Sequence, residues 1–408
     1  MRKVRKRWSK NQFHECPECD NDLLFALYEA YKMAKRAKCR TEDENKFEMF
    51  AMENLIQLAE DIKRRQYKPG RSRAFMIHKP VDREIFAAPF RDRVVHHFLF
   101  AMNGLWWDKH YIYDSYSCRD KKGTLLGAQR LQKFMERCSQ AGSREAYVIK
   151  MDISGYFMSL NRQKLFKRVL LGLGKQYPKG GWEYEICRYL WFEIIFDDPV
   201  DGVKRVGSLR EWKNLPARKS LFSQPEGQGI VIGNLTSQSL SNTYLDQFDQ
   251  FMKIKMKFKY YGRYVDDAVV VVTGDELDDA LEKFRNDIPK FLSGLGLTMH
   301  PDKFYVQPIE KGCPFIGMIV HRNYMTMSKR TRGNYWQAAK DYKAGKKGID
   351  SMISYVGHTK YMSAEKLNKR ILREAGIDYK YQSSKKDVWS SFKREKHPED
   401  ICIVGAKG

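Results

Sequence analysis

Apolar and polar positions change period several times along this chain, and each change marks an element. Apolar residues recur at three- and four-residue spacing over Asp22 to Lys38, Glu42 to Arg65 and Thr124 to Cys138, which predicts amphipathic helices there. Tyr147-Val148-Ile149 reads as the end of a buried strand, with Asp152 just beyond it, where an open sheet places its chemistry. The stretch Phe258 to Thr273 is largely β-branched, aromatic and apolar, and near its centre Asp266 and Asp267 stand side by side. Phe258 to Val265 and Ala268 to Thr273 have strand composition and length, so a hairpin is predicted with the two aspartates at its turn. Phe196 to Gly227 is rich in glycine, proline and charge and reads as an insertion loop. Beyond Ser328 the chain becomes strongly basic and helical in pattern.

The acidic pair carries the chemistry. Burying a carboxylate without a partner costs several kcal/mol, so two of them among Tyr260, Tyr261 and the valines 269–272 call for a cation, with magnesium the first choice. A short acidic turn is the plain alternative. Asp152 shifts the balance, because carboxylates from two strands can hold two divalent ions about 3.5–4 Å apart, one to activate an attacking hydroxyl and one to steady the leaving oxygen. That arrangement serves nucleotidyl transfer.

Composition narrows the partner. Lys plus Arg is 74 against 50 Asp plus Glu, a formal charge of +24 over 408 residues. Such an excess favours a polyanion bound in a salt-sensitive way, and nucleic acid fits better than a membrane surface. No apolar run approaches the roughly 18 residues needed to span a bilayer, and the basic start Met1 to Arg7 is not followed by the apolar core of a signal peptide. Eight scattered cysteines lack the density of a disulfide framework, consistent with a reducing cytoplasm. His14, Cys16 and Cys19 have the spacing of half a zinc site, with only Cys39 nearby to extend it. A prior of about 150 residues per domain gives two or three units.

Between residues 60 and 330 the chain resembles the reverse transcriptases. Arg83-Glu84-Ile85 with Arg91 to His97, then Ser117-Cys118-Arg119 with Gly123, look like the two fingers blocks. Asp152 with Phe157, and Tyr264-Val265-Asp266-Asp267, are similar to the catalytic palm blocks. Gly296-Leu297 through Lys303, then Pro314 to Gly317, follow in the family's order. Gly229 to Gln238 departs from the common Gln-Gly-x-x-x-Ser-Pro form, with Ile232 at the Gln place and Gln238 at the Pro place. The Ile-Gly-Asn-Leu-Thr-Ser-Gln form, with Trp212, Leu215-Pro216 and Lys219 to Phe222 upstream, resembles the reverse transcriptases of diversity-generating retroelements, of the group II intron-like lineage.

The resemblance implies an α+β right-hand polymerase, with a helical basic extension over residues 1–60, fingers over 61–144, palm over 145–327 and a helical thumb with a polar tail over 328–408. It implies catalysis by Asp152, Asp266, Asp267 and Lys303, and metal binding by Asp152, Ile153, Asp266 and Asp267, with two Mg2+ ions or Mn2+ in their place. It assigns nucleotide binding to Arg83, Lys79, Arg91, Phe157, Ile232, Gly233 and Gln238. A rigid ring at Phe157 would collide with a 2′-hydroxyl and select deoxynucleotides. An aliphatic Ile232 removes a hydrogen bond worth on the order of 1 kcal/mol, so nucleotide placement loosens and fidelity falls. The implied activity is error-prone copying of a template RNA, mutated at adenines, into cDNA that diversifies a target gene. Implied partners are the template RNA, a primer or cDNA end, deoxynucleoside triphosphates and a small basic accessory protein forming a helical barrel, in a bacterial, archaeal or phage-encoded setting. A group II intron, retron or phage-defence reverse transcriptase stays open, as does a non-catalytic, maturase-like RNA-binding scaffold.

Overall fold

The computed structural model describes residues 19–36, 41–78 and 81–377. His14, Cys16, Cys39, Lys79 and the tail from residue 378 lie outside the described residues, and Cys19 opens the first described helix, Cys19–Lys35. The strands are β1 (Arg73–Ile77), β2 (Arg83–Ala87), β3 (Ala146–Asp152), β4 (Lys204–Val206), β5 (Tyr260–Tyr264), β6 (Asp267–Thr273), β7 (Tyr305–Pro308), β8 (Cys313–Phe315), β9 (Met318–Val320) and β10 (Met325–Met327). They form mixed helix-and-sheet architecture in three sheets, ordered β2-β1-β4, β10-β9-β8 and β5-β6-β3-β7.

The chain forms two compact units that interleave along the sequence: residues 1–123, 151–268 and 278–304, and residues 124–150, 269–277 and 305–408. In the first unit β1 pairs antiparallel with β2, from Arg73↔Ala87 to Ile77↔Arg83, and parallel with β4, from Arg73↔Lys204. The alternating pattern of β2 buries Glu84 and Phe86 and leaves Arg83 exposed. The segment expected as an insertion loop thus contains an edge strand and a short helix, Leu209–Lys213. Composition concealed β4 because it is three residues long and exposed throughout. The predicted helix over Glu42 to Arg65 is likewise broken in two, Glu42–Met49 and Ala51–Lys63, at Phe50, whose φ of −130° and ψ of 49° leave the helical region.

Helix Leu235–Gln250 runs through the core of this unit and buries Leu240, Tyr244, Leu245 and Phe248 along with the polar Ser241, Asn242, Thr243, Asp246 and Asp249. So many buried polar groups on one helix require partners, and several are visible: Tyr111 Oη lies 2.7 Å from Thr243 Oγ1, and Asn242 Nδ2 donates to the Ser117 carbonyl at 2.8 Å.

The second unit carries the antiparallel pairing of β3 with β7, from Tyr147↔Pro308 to Lys150↔Tyr305, and the β8-β9-β10 meander. The helix Thr124–Cys138 forms over the predicted residues. Helices Lys329–Lys343, Asp350–Thr359 and Glu365–Glu374 enclose a small core of Tyr335, Ala339, Met352, Ile371 and Leu372, with Tyr335 and Tyr355 stacked at 5.0 Å. Truncating Ile371 or Leu372 to alanine in such a core costs about 2–5 kcal/mol. Lys329, Arg330, Arg332, Lys340, Lys343, Lys346 and Lys347 are exposed on it. Among the described residues no helix is long and apolar enough to cross a membrane.

Candidate active site

β3 ends on Asp152 and its sheet neighbour β6 begins on Asp267, so acidic residues far apart in sequence come to neighbouring strand ends. Two backbone hydrogen bonds fix the approach: Ile153 N donates to the Asp266 carbonyl at 3.2 Å, and His300 N donates to the Asp152 carbonyl at 2.8 Å. Lys303, in the short turn Pro301–Lys303, places Nζ 2.9 Å from Asp152 Oδ2.

Electrostatics tie a fourth residue to this group. Burial, reinforced by the negative charge of Asp152, pushes the Asp266 carboxyl up to about 6, while Lys303 and Arg83 pull it back. The structure therefore brings Asp152, Asp266, Lys303 and Arg83 within interaction range. Asp267 is partly buried beside them. Carboxylate oxygens are the ligands that hard divalent cations take, and Asp152 and Asp266 are the two carboxylates that repel each other here. Among the described residues no three His, Cys, Asp or Glu side chains stand as a group that could hold a metal. The Lys303 ammonium is the cation that Asp152 engages here.

Two other sequence candidates stand in an apolar wall. Phe157 and Ile232 pack against the same cluster of Ala74, Phe86, Met158 and Leu221. Their backbones are joined to it: Ile230 N donates to the Phe157 carbonyl at 3.0 Å, and Phe86 N to the Ile232 carbonyl at 2.8 Å. Gly233 follows with φ +130°, and a Cβ there would fall 2.6 Å from the Phe86 carbonyl oxygen, so the close passage of this turn over β2 demands glycine. Gln238 is exposed near the start of helix Leu235–Gln250. Arg91 is engaged elsewhere: Nη2 lies 2.6 Å from Asp61 Oδ2, and the guanidinium sits over the Tyr67 ring at 5.0 Å.

Motif reading missed the groups that hold this site in shape. Glu84, next to Arg83, is fully buried and accepts from Ser220 Oγ at 3.0 Å and from the Leu221 amide, pinning the turn that builds the apolar wall. Burial raises its carboxyl above the usual range. Arg263 and Asp249, both fully buried, form a two-pronged ion pair behind the hairpin. A lone arginine in an otherwise apolar strand was the only sequence signal for that pair. Its partner, one acid on a mostly polar helix, had none.

No protein-family model matches the sequence, and no curated protein matches it. Among solved structures the chain is similar to a telomerase from Candida albicans in complex with a TWJ fragment of telomeric RNA, at 12% identity and a TM-score of 0.45 over 78% of this chain and 58% of that one. It is also similar to apo telomerase from Candida tropicalis, at 12% identity and a TM-score of 0.43 over 75% of this chain and 60% of that one. A form of the latter truncated from the C-terminal domain gives 13% identity and a TM-score of 0.44 over 68% and 60%. The chain spans less than two thirds of the length of these structures.

Proposed function

We propose that this chain is an RNA-directed DNA polymerase, and specifically the mutagenic reverse transcriptase of a diversity-generating retroelement. The observation that carries the reading is the meeting of Asp152 and Asp266, from distant segments, within range of Lys303 and Arg83 and on neighbouring strand ends. The proposed fingers, palm and thumb follow the sequence boundaries given above, and the exposed cations of helix Lys329–Lys343 and the turn after it would track the phosphate backbone of template and primer.

Asp152 and Asp266, with Asp267 beside them, would hold divalent magnesium, which supplies charge neutralisation to the triphosphate and acidity to the primer hydroxyl. Arg83, exposed at the start of β2, offers a planar fork to phosphate oxygens. The Phe157 ring bounds the sugar. Lys303, paired with Asp152 in this structure, is the proposed donor of a proton to departing pyrophosphate. The apolar Ile232 side chain gives the incoming base no polar contact, which is the feature we connect with errors. The template RNA and a small basic accessory protein are the proposed partners.

A non-catalytic RNA-binding scaffold is the second reading, favoured by one observation: the Lys303 ammonium is paired with Asp152, an acid that catalysis would need for a metal. One experiment separates the readings. The purified chain is given a defined RNA, a DNA primer, magnesium and four deoxynucleotides, and products are sequenced. The expected result is cDNA with substitutions concentrated at template adenines, abolished in Asp152→Asn. Accurate cDNA would return the chain to the wider reverse transcriptase group. RNA retention in a gel shift without any cDNA would establish the scaffold.

A further inference from the structure

The tip of the β5-β6 hairpin holds a conformation its own sequence disfavours. Val265 has φ 57°, in the left-handed region, where a β-branched residue is a genuine outlier. Strain of this kind persists only where the surroundings over-determine it. Here the Ile153 N–H holds the Asp266 carbonyl on one side of Val265, and a guanidinium holds the carbonyl of Val265 itself. Arg263 Nη1 donates to the Val265 carbonyl at 2.7 Å, while Nε and Nη2 take both oxygens of Asp249 at 2.7 and 2.6 Å, and Nη2 also reaches Ser115 Oγ at 3.3 Å. Asp249 in turn accepts the Tyr261 hydroxyl at 2.6 Å. The Arg263 backbone is held on both sides, its amide donating to the Asp114 carbonyl at 2.9 Å and its carbonyl accepting from Tyr116 N at 3.0 Å. One side chain therefore connects helix Leu235–Gln250 to the peptide unit that leads directly into Asp266.

We propose that Arg263 is a positioning residue: by clamping the Val265 carbonyl against Asp249 it maintains the strained turn and so sets where the Asp266 carboxylate stands relative to Asp152. The catalytic consequence rests on the polymerase reading above; the geometry does not. An ordinary buried ion pair would stabilise the fold without touching the tip, whereas this one spends a third nitrogen on the carbonyl just before Asp266. Lysine cannot reproduce a fork that serves Asp249 and the turn together. Glycine at 265 would adopt the positive φ without strain, and so would not need the clamp.

The test uses the full chain as Arg263→Lys, Val265→Gly and the double variant, with three readouts: amide hydrogen exchange over residues 264–267, melting temperature, and steady-state primer extension. In Arg263→Lys, exchange at the tip should rise at least about tenfold, and kcat should fall roughly tenfold with the nucleotide KM within about twofold. Adding Val265→Gly should restore most of kcat while leaving the melting temperature lowered by the damaged Asp249 pair. Val265→Gly alone should keep or raise the melting temperature, which serves as the deciding measurement if Arg263→Lys does not fold. Unchanged tip exchange in Arg263→Lys, simple additivity of the two effects on kcat, or a lower melting temperature in Val265→Gly would each overturn the proposal. A parent chain that extends no primer would remove the polymerase reading only, because exchange and melting still decide the clamp.

Discussion

Asp266→Asn should make the protein more stable at neutral pH. The Asp266 carboxyl titrates at about 6 in the folded chain, first because it is buried and second because Asp152 faces it, against an ordinary value of 3.8. A folded value above the unfolded one means that the native state binds more protons between those limits, so stability falls as pH rises through that window and the penalty is fully present above about 6. Two pH units correspond to about 3 kcal/mol. The side chain is partly exposed, so solvent screening makes this an upper figure. An isosteric amide carries no charge and escapes the penalty. At about 2–4 °C per kcal/mol for domains of ordinary size, melting should rise by several degrees at pH 7.5, and the advantage should shrink to under about 1 kcal/mol at pH 4, where the folded carboxyl is protonated and the unfolded one, with its ordinary value of 3.8, is only partly ionised. Thermal melts of parent and variant across that range, without divalent ions, provide the measurement. A variant that melts no higher than the parent at pH 7.5, or whose advantage is the same at pH 4, would refute the claim that Asp266 is held as a burdened acid.

Phe157→Ala should admit ribonucleotides, read as incorporation of ribonucleoside triphosphates in primer extension, and unchanged sugar discrimination would count against a ring bounding the sugar. Ile232→Gln should lower misincorporation at template adenine about fivefold, the equivalent of one hydrogen bond of about 1 kcal/mol; an unaltered error spectrum on sequencing would reduce Ile232 to a packing residue of the Phe86 and Leu221 cluster. Gly233→Ala should destabilise by about 1–3 kcal/mol, since both its positive φ and its approach to the Phe86 carbonyl oppose a side chain, and urea denaturation will show whether the turn has the freedom to relax.

The hairpin was legible because a burial signal and a charge signal coincide there: β5 and β6 fall within two residues of the expected strands, and only the choice of first and last residue differed. Helix Thr124–Cys138 was legible for the same reason, as one uninterrupted apolar stripe. What escaped has a common physical cause. The break at Phe50 is a backbone event inside a continuous periodic pattern, with an exposed aromatic at the break, and nothing in residue spacing records it. β4 is specified by its neighbour β1 and not by its own composition. The Arg263 and Asp249 pair, and the grip of Glu84 on Ser220 and Leu221, are meetings of residues that only the finished fold brings together. The aspartates could be named from motif order alone; the framework that orients them could not.

β4 has one more consequence. As the outermost of three strands, it would ordinarily present a ladder of unsatisfied amides and carbonyls that invites a stranger to pair. Here the rim is short, and its first two side chains are Lys204 and Arg205, the latter laid across Phe222 at 3.8 Å. Two copies meeting rim to rim would have to bring four cations together, a repulsion that opposes pairing at the border where this sheet stops.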